Sequence, residues 1–478
     1  MTLPAHRLSG ARVDLAQLRR DLGLPTGFDA AVVAEAQVAA AIDLIRRPIE
    51  DQTDLPLVTV DPTGAKDLDQ AIHIAADGAG FVVRYAIADV AAFVRPGGAI
   101  DAEAWRRGET MYFPDARVPL HPPVLSEGAA SLLPGQDRAA VLWQIRLHAD
   151  GTPDAVGVAR ARVRSRQQLD YAGLQEALDA GRAPDAVRLL AEIGPRLEQR
   201  ARERKAINLD LPEQEVEPAP GRGGWALRLR RELPVERWNA EMSLLIGRCA
   251  ARLMLDHRIG VLRTLPAPDR PAIARMRRVA RALGVDWPDG VDAADVVAGL
   301  DRTSAAHVCF IEHAASLLRG AGYTSFDGEV PASAGHAGVG APYSHVTAPL
   351  RRLVDRFGSS LCVALHAGEP APDWIRAGLA TLPETMRTAD ALAHRVDRAV
   401  VDAVEAWVLQ HRVGDVFDAV VLDVGQQSAK IALDDLAVRA SATGAGFVEG
   451  ERTRVRLVAA DVATRSVRFE AVEGTGQR

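Results

Sequence analysis

A chain of 478 residues exceeds what one hydrophobic core supports, so it divides into at least two domains. With 48% hydrophobic and 25% charged residues the composition is globular, and no run of about 18 or more uncharged apolar residues could span a bilayer. The start carries no apolar signal core and the three cysteines are scattered, which argues against secretion, a disulfide framework or a structural zinc site; a net charge of −6 argues against a uniformly basic surface.

In chain order, about Val13 to Ala41 shows two helical patterns broken by "GLPTG", a small module compatible with a helix-turn-helix. "LPLVTVD" predicts a strand, "QAIHIAADGAGFVVRYAIADVAAFV" a hairpin turning at "DGAG", and "VLWQIRLHADGTPDAVGVARARVRSR" a second hairpin turning at "DG". Beyond residue 165 apolar residues recur at helical spacing, over Trp238 to Leu255 and again over Leu392 to Leu409. After His411 short alternating strands separated by Gly and Asp predict a five-stranded OB-like barrel, a fold used for oligonucleotides, with Phe417 the best-placed aromatic for base stacking. The fold class is therefore α+β, with a helical module over 1–50, a catalytic domain over 51–410 and an OB-fold over 411–475.

Basic clusters punctuate this acidic chain at Arg160 to Arg166, Arg200 to Lys205, Arg228 to Arg231 and Arg275 to Arg278. Each alone reads as a solvated face. Four together favour an anionic polymer as partner.

The chemistry concentrates in "VDPTGAKDLDQAI", where Asp61, Asp67 and Asp69 crowd into nine residues and Gln70 follows. Residues two apart in extended backbone share a face, so Asp67 and Asp69 are expected to converge, with the Pro62 and Gly64 loop folding Asp61 toward them. Three carboxylates repel unless a cation neutralises them, and oxygen donors select a hard ion, Mg²⁺ or Mn²⁺. The bland alternative is an acid-rich solvated loop. Carboxylate-held Mg²⁺ in a chain with basic clusters suggests phosphodiester chemistry, for which two ions about 4 Å apart are a common device.

These residues resemble the RNase II exoribonucleases, whose catalytic unit is the RNB domain. "TVDPTGAKDLDQAI" looks like that family's acidic signature, Tyr85 to Val141 follows its long diagnostic stretch almost phrase by phrase, and "YSHVTAPLRRLVDR" is similar to its THFTSPIRRYAD element. The resemblance runs from about Asp54 to Leu409, with the closing barrel matching the family's S-one-type RNA-binding domain. It implies processive 3'→5' hydrolysis of single-stranded RNA to nucleoside 5'-monophosphates at a Mg²⁺ site. With no apolar signal core or spanning run, the chain is expected to be a cytoplasmic monomer without a membrane partner, and DNA is not expected as its substrate. Position by position, Asp61 and Asp67 match metal ligands, Asp69 the carboxylate most needed for the chemical step, and Gln70 a fourth metal-binding Asp. Arg351 matches the arginine on the scissile phosphate, Tyr112 the tyrosine stacked on the terminal base, and Glu241 an acid that positions the last nucleotide. Asp397 stands where the family has a Glu touching that nucleotide. Thr347 and Pro349 are expected to start a helix that presents Arg351 to phosphate.

Each role has a plainer competitor: Arg351 could pair with Asp355, Tyr112 could be core, and Glu241 and Asp397 could be solvated acids. Departures from the family are Gln70, Ala86 where it has His, and Leu209 where many members carry an aromatic. The amide oxygen of Gln70 is expected to coordinate metal more weakly than a carboxylate. Only about 50 helix-patterned residues stand where the family carries two cold-shock barrels, from which a more open entrance, tolerant of duplex-containing RNA, is expected. Two other readings are an RNA clamp with weakened catalysis, favoured by Gln70, and a Mg²⁺-dependent phosphatase or DNA nuclease.

Overall fold

A computed structural model of the chain describes residues 13–41, 49–208, 213–219, 224–301 and 304–472; Leu209 lies outside them. Two helices, α1 (Leu15–Asp21) and α2 (Ala30–Ala40), open the chain. They join different apolar clusters. Leu15 and Leu18 pack with Met111, Phe113, Val396 and Val400, whereas Val32, Ala36 and Ala39 pack with Ala86, Ala88 and Ala139 of the central sheet.

The sheet comprises β1 (Glu50–Asp51), β2 (Leu57–Asp61), β3 (Gln70–Asp77), β4 (Gly80–Ala88), β5 (Asp137–Leu147) and β6 (Pro153–Asp170). Its order is β1-β6-β2-β3-β4-β5, and β6 also pairs with β5. The 18-residue β6 makes both pairings possible: its first part runs antiparallel to β5 up to Arg164, and its last part runs parallel to β2 from Ser165. The sheet thereby closes on itself through β6, leaving only the two-residue β1 with a single neighbour. Asp77 pairs with Gly80 across a two-residue turn in which Gly78 takes φ +60°, a conformation glycine adopts without steric penalty.

Side-chain alternation gives each strand two buried faces. On β4, Phe81, Val83, Tyr85 and Ile87 enter the largest core with Trp143 and Ile145 of β5, while Ala86 and Ala88 face the cluster that α2 covers. Against the larger face lie α3 (Pro234–Asp256) and, after a helical insert, α5 (Leu353–His366). The insert is bracketed by β7 (Ile259–Thr264) and β8 (Gly322–Asp327), which pair antiparallel, and it has its own core of Met276, Val297, Phe310 and Ile311; its helix α4 spans Ala305–Ala314.

The helix α6 (Leu382–Leu409) leads into five strands, β9 (Val416–Val424), β10 (Ser428–Leu433), β11 (Arg439–Thr443), β12 (Arg452–Asp461) and β13 (Ser466–Ala471). These form a closed barrel of order β9-β10-β11-β13-β12. The α+β class and the barrel match expectation. Phe417 does not serve as a stacking platform: it is buried in the barrel, edge-on to Phe469 at 5.8 Å, because its strand position faces inward. The three cysteines are free and buried, as small apolar side chains.

Candidate active site

Asp61 ends β2, and its backbone pairs with Asp170 at the end of β6. A loop through Pro62 and Gly64 returns the chain to β3, so that Asp67 and Asp69 fall in irregular backbone just before that strand. Irregular backbone does not enforce the period of two. Asp67 turns toward Tyr112 and Arg117, while Asp69 turns toward the segment that precedes α5. Among the described residues the three aspartates do not each bring an oxygen within 4.8 Å of the others, so the tight convergence expected from extended spacing is not what the fold makes.

Asp69 is buried, its Oδ1 accepts a hydrogen bond from the Leu350 amide at 2.8 Å, and its Oδ2 lies 3.5 Å from Arg351 Nε. Burial pushes its carboxyl up to about 8 despite the arginine. Asp61 is likewise lifted, to about 6, by burial, and its Oδ2 is shielded from solvent with no hydrogen-bond partner. Carboxyls held this way resist ionisation until a cation arrives. Asp67, by contrast, already has partners. Tyr112 Oη donates to its Oδ2 at 2.7 Å, and Arg117, itself 3.1 Å from Glu127, pairs with its Oδ1.

Gln70 sits differently from expectation. Its Nε2 donates to the Thr347 carbonyl at 2.8 Å, and its Oε1 accepts from Ser243 Oγ at 3.1 Å and from Tyr85 Oη. Both lone-pair directions of the amide oxygen are occupied by hydroxyls. Gln70 is thus a brace joining β3 to α3 and to the arginine-bearing turn, and the expected donation of its oxygen to a metal competes with these bonds.

Arg351 lies in that turn and not in a helix: α5 starts at Leu353, with Arg352 at its N-cap, so Thr347 caps nothing and Pro349 is outside the first turn. The competing pairing of Arg351 with Asp355 is not formed. Asp355 receives Arg352 at 2.8 Å and the Ala348 amide at 2.6 Å, leaving Arg351 free to face Asp69. Arg351 is held through its backbone, whose carbonyl accepts from the Thr110 amide at 2.9 Å, two residues before Tyr112. Gly247 of α3 lets this region close: Ser344 N donates to its carbonyl at 3.1 Å, and a Cβ there would lie 2.1 Å from the Tyr343 ring.

Tyr112, Glu241 and Asp397 line one cavity of about 2020 Å³, which also takes in Arg202, Asn208 and Arg275 and, from the barrel, Lys430, Arg439 and Arg465. Tyr112 is 46% exposed, which fits a stacking surface and not a core residue. Glu241 is buried with an unpartnered Oε2, and burial raises its pKa and that of Asp397. Thr347 is buried and takes part through its carbonyl. Many of the clustered basic residues are spent on ion pairs, Arg160 with Asp89 at 2.9 Å, Arg164 with Asp137 at 2.6 Å and Arg200 with Glu203 at 2.7 Å, whereas Arg202 and Arg275 reach the cavity. Sequence reading missed Arg117, Tyr85 and Ser243, since nothing local marks a residue whose partner is 15 to 173 positions away.

The RNB domain family matches residues 49–358, and the RNase II-type exonuclease C-terminal S1 domain matches residues 415–472. Ribonuclease R of Escherichia coli (strain K12) is 26% identical over 474 residues, covering 88% of this chain and 57% of that protein. Ribonuclease R of Chlamydia trachomatis is 25% identical over 357 residues, covering 73% of this chain and 51% of its own. The chain thus spans little more than half the length of these relatives. Among solved structures, Mycoplasma genitalium RNase R in complex with ribose methylated single-stranded RNA aligns with a TM-score of 0.86 at 18% identity, over 96% of this chain and 78% of that one. Yeast Ssd1, described as a pseudonuclease, aligns with a TM-score of 0.71 at 17% identity, over 83% and 50%. These structural likenesses establish the fold, and with the RNB match covering well over half of the 478 residues, the chain belongs to the RNB domain family.

Proposed function

We propose that this chain is a 3'→5' exoribonuclease that processively hydrolyses single-stranded RNA to nucleoside 5'-monophosphates, with Mg²⁺ as cofactor and Mn²⁺ as substitute. The observation that carries this reading is the placement of Tyr112, whose ring borders the large cavity while its hydroxyl bonds Asp67 of the acidic cluster. One residue thus joins a place for the terminal base to the place for its phosphate. The unpartnered, buried Asp61 Oδ2 and the burial-raised Asp61 and Asp69 fit a divalent cation, which those two residues would hold, Asp67 joining them only by releasing Arg117, for which Glu127 is a second partner. When bound, such an ion polarises the scissile phosphate and lowers the pKa of water.

The chain's own groups do the rest. The Leu350 amide fixes Asp69, which orients the attacking water and takes its proton; Arg351, beside Asp69, meets the charge that develops on the phosphate. Tyr112 stacks on the terminal base, and Glu241 and Asp397 receive the sugar of the last nucleotide, a 2'-hydroxyl contact that disfavours DNA. The reading takes the protein as a cytoplasmic monomer with no membrane partner. Its test is a time course on 5'-labelled single-stranded RNA with Mg²⁺, wild type beside Asp69→Asn: wild type yields monophosphates and a short end product, the variant intact RNA. Equal rates in the two proteins would refute the assignment.

A second reading, an RNA clamp that keeps the fold without the chemistry, is favoured by Gln70 being bonded away from the acids. It predicts a gel shift without products.

A further inference from the structure

We propose a second metal site, separate from the acidic cluster, in which His313, Asp423 and Glu449 bind Zn²⁺ at the seam between the helical insert and the barrel. One ligand atom from each residue lies within 4.8 Å of the other two, close enough for a single ion to draw them in. The three come from three elements: the last turn of α4, the end of β9, and the loop before β12.

Several features of the seam hold these groups in place. A register shift between Val421 and Asp423 puts a bulge in β9 at the ligand position, a device that re-aims a side chain. Cys309 Sγ, one turn before His313, donates to the Leu422 carbonyl at 3.2 Å, fixing the strand end to the helix. Gly450 lets the Glu449 loop approach, since a Cβ there would sit 3.4 Å from Ala306 Cα and 2.4 Å from the Leu283 side chain. Glu449 Oε1 accepts from the Val424 amide at 3.1 Å, which leaves Oε2 directed at His313 Nε2, 3.5 Å away.

The ligand atoms are otherwise spare. His313 Nε2 is shielded from solvent and makes no hydrogen bond, although the residue itself is only half-buried; a shielded ring nitrogen does not stay unpaired without cost. Among the described residues no ion pair or hydrogen bond engages the Asp423 side chain. Neighbouring Glu312 is already taken by Arg439 of the barrel at 2.7 Å, so it is not a fourth ligand. One imidazole with two carboxylates suits a borderline ion such as Zn²⁺ better than Mg²⁺, which avoids nitrogen and keeps near-ideal octahedral oxygen coordination. His313, Leu422 and Asp423 also line the large cavity, so the ion would clamp the barrel to the insert along the wall of the substrate path.

The test is calorimetric titration of chelator-stripped full-length protein with zinc chloride, in buffer with millimolar Mg²⁺ to occupy the acidic cluster, together with thermal unfolding with and without zinc. Wild type and Asp69→Asn should each bind one equivalent and gain thermal stability, whereas His313→Ala and the isosteric Asp423→Asn should bind at least tenfold more weakly and lose that gain. Asp423 is exposed, so its variant keeps the test valid if His313→Ala fails to fold. Zinc binding unchanged in Asp423→Asn and His313→Ala, or absent in wild type, would overturn the proposal.

Discussion

Gln70→Ala should lower the stability of the protein by about 2 to 4 kcal/mol while the Mg²⁺ concentration for half-maximal RNA digestion stays within about threefold of wild type. The substitution removes the donor to the Thr347 carbonyl at 2.8 Å and the acceptor shared by Ser243, at 3.1 Å, and Tyr85. Tyr85 Oη and Ser243 Oγ lie 2.8 Å apart, so once Oε1 is gone one can donate to the other and a single hydroxyl hydrogen loses its acceptor. The Thr347 carbonyl loses its donor within a buried residue, a deficit of about 1 to 3 kcal/mol, and the lost bonds at Oε1 add about 1 kcal/mol. Because Thr347 leads into the Leu350 amide and Arg351, the maximal rate should fall through misplacement of Arg351, without a change in metal affinity. Urea unfolding measures the first quantity, and Mg²⁺ titration of the initial digestion rate measures the second. A tenfold rise in the Mg²⁺ requirement would refute the brace and make Gln70 a ligand, whatever the stability did.

Arg351→Ala should reduce the digestion rate by about 10² to 10³, the loss typical of removing one group that meets transition-state charge; since the side chain is 45% exposed, urea unfolding should shift by less than about 1 kcal/mol. Glu405, buried against Gln214 and Arg439, has its carboxyl raised to about 7 by burial. A folded-state pKa above the unfolded one means the native state binds the extra proton, so stability should fall as pH rises from about 4.5 to about 7, by at most about 3 kcal/mol, and Glu405→Gln should flatten that slope in urea midpoints taken across the range. Gly247→Ala should cost about 1 to 3 kcal/mol and slow digestion, because its methyl would press on the Tyr343 ring and the Ser344 carbonyl ahead of the Arg351 turn; an unchanged thermal midpoint would show that the contact relaxes freely.

Much of the architecture is written locally. The alternation Phe81, Val83, Tyr85, Ile87 marks a strand because successive side chains in extended backbone take opposite faces, and the apolar stripe over Trp238 to Leu255 marks the helix now seen over Pro234–Asp256. The five closing strands and the crowding of Asp61, Asp67 and Asp69 are equally plain, for period and charge density are properties of neighbours in sequence. What each acid does was decided elsewhere. Asp67 meets Arg117 fifty positions on, and Gln70 meets Ser243 and Thr347 173 and 277 positions on; these pairings exist because the closed sheet, α3 and the turn before α5 cross at one point. Phe417 looked available until the barrel closed around it, and Arg351 faces Asp69 because Asp355 takes Arg352 instead. Local pattern dictates which side chains are buried and on which face, whereas which buried groups meet depends on where distant backbones pack, and that is a property of the tertiary fold alone.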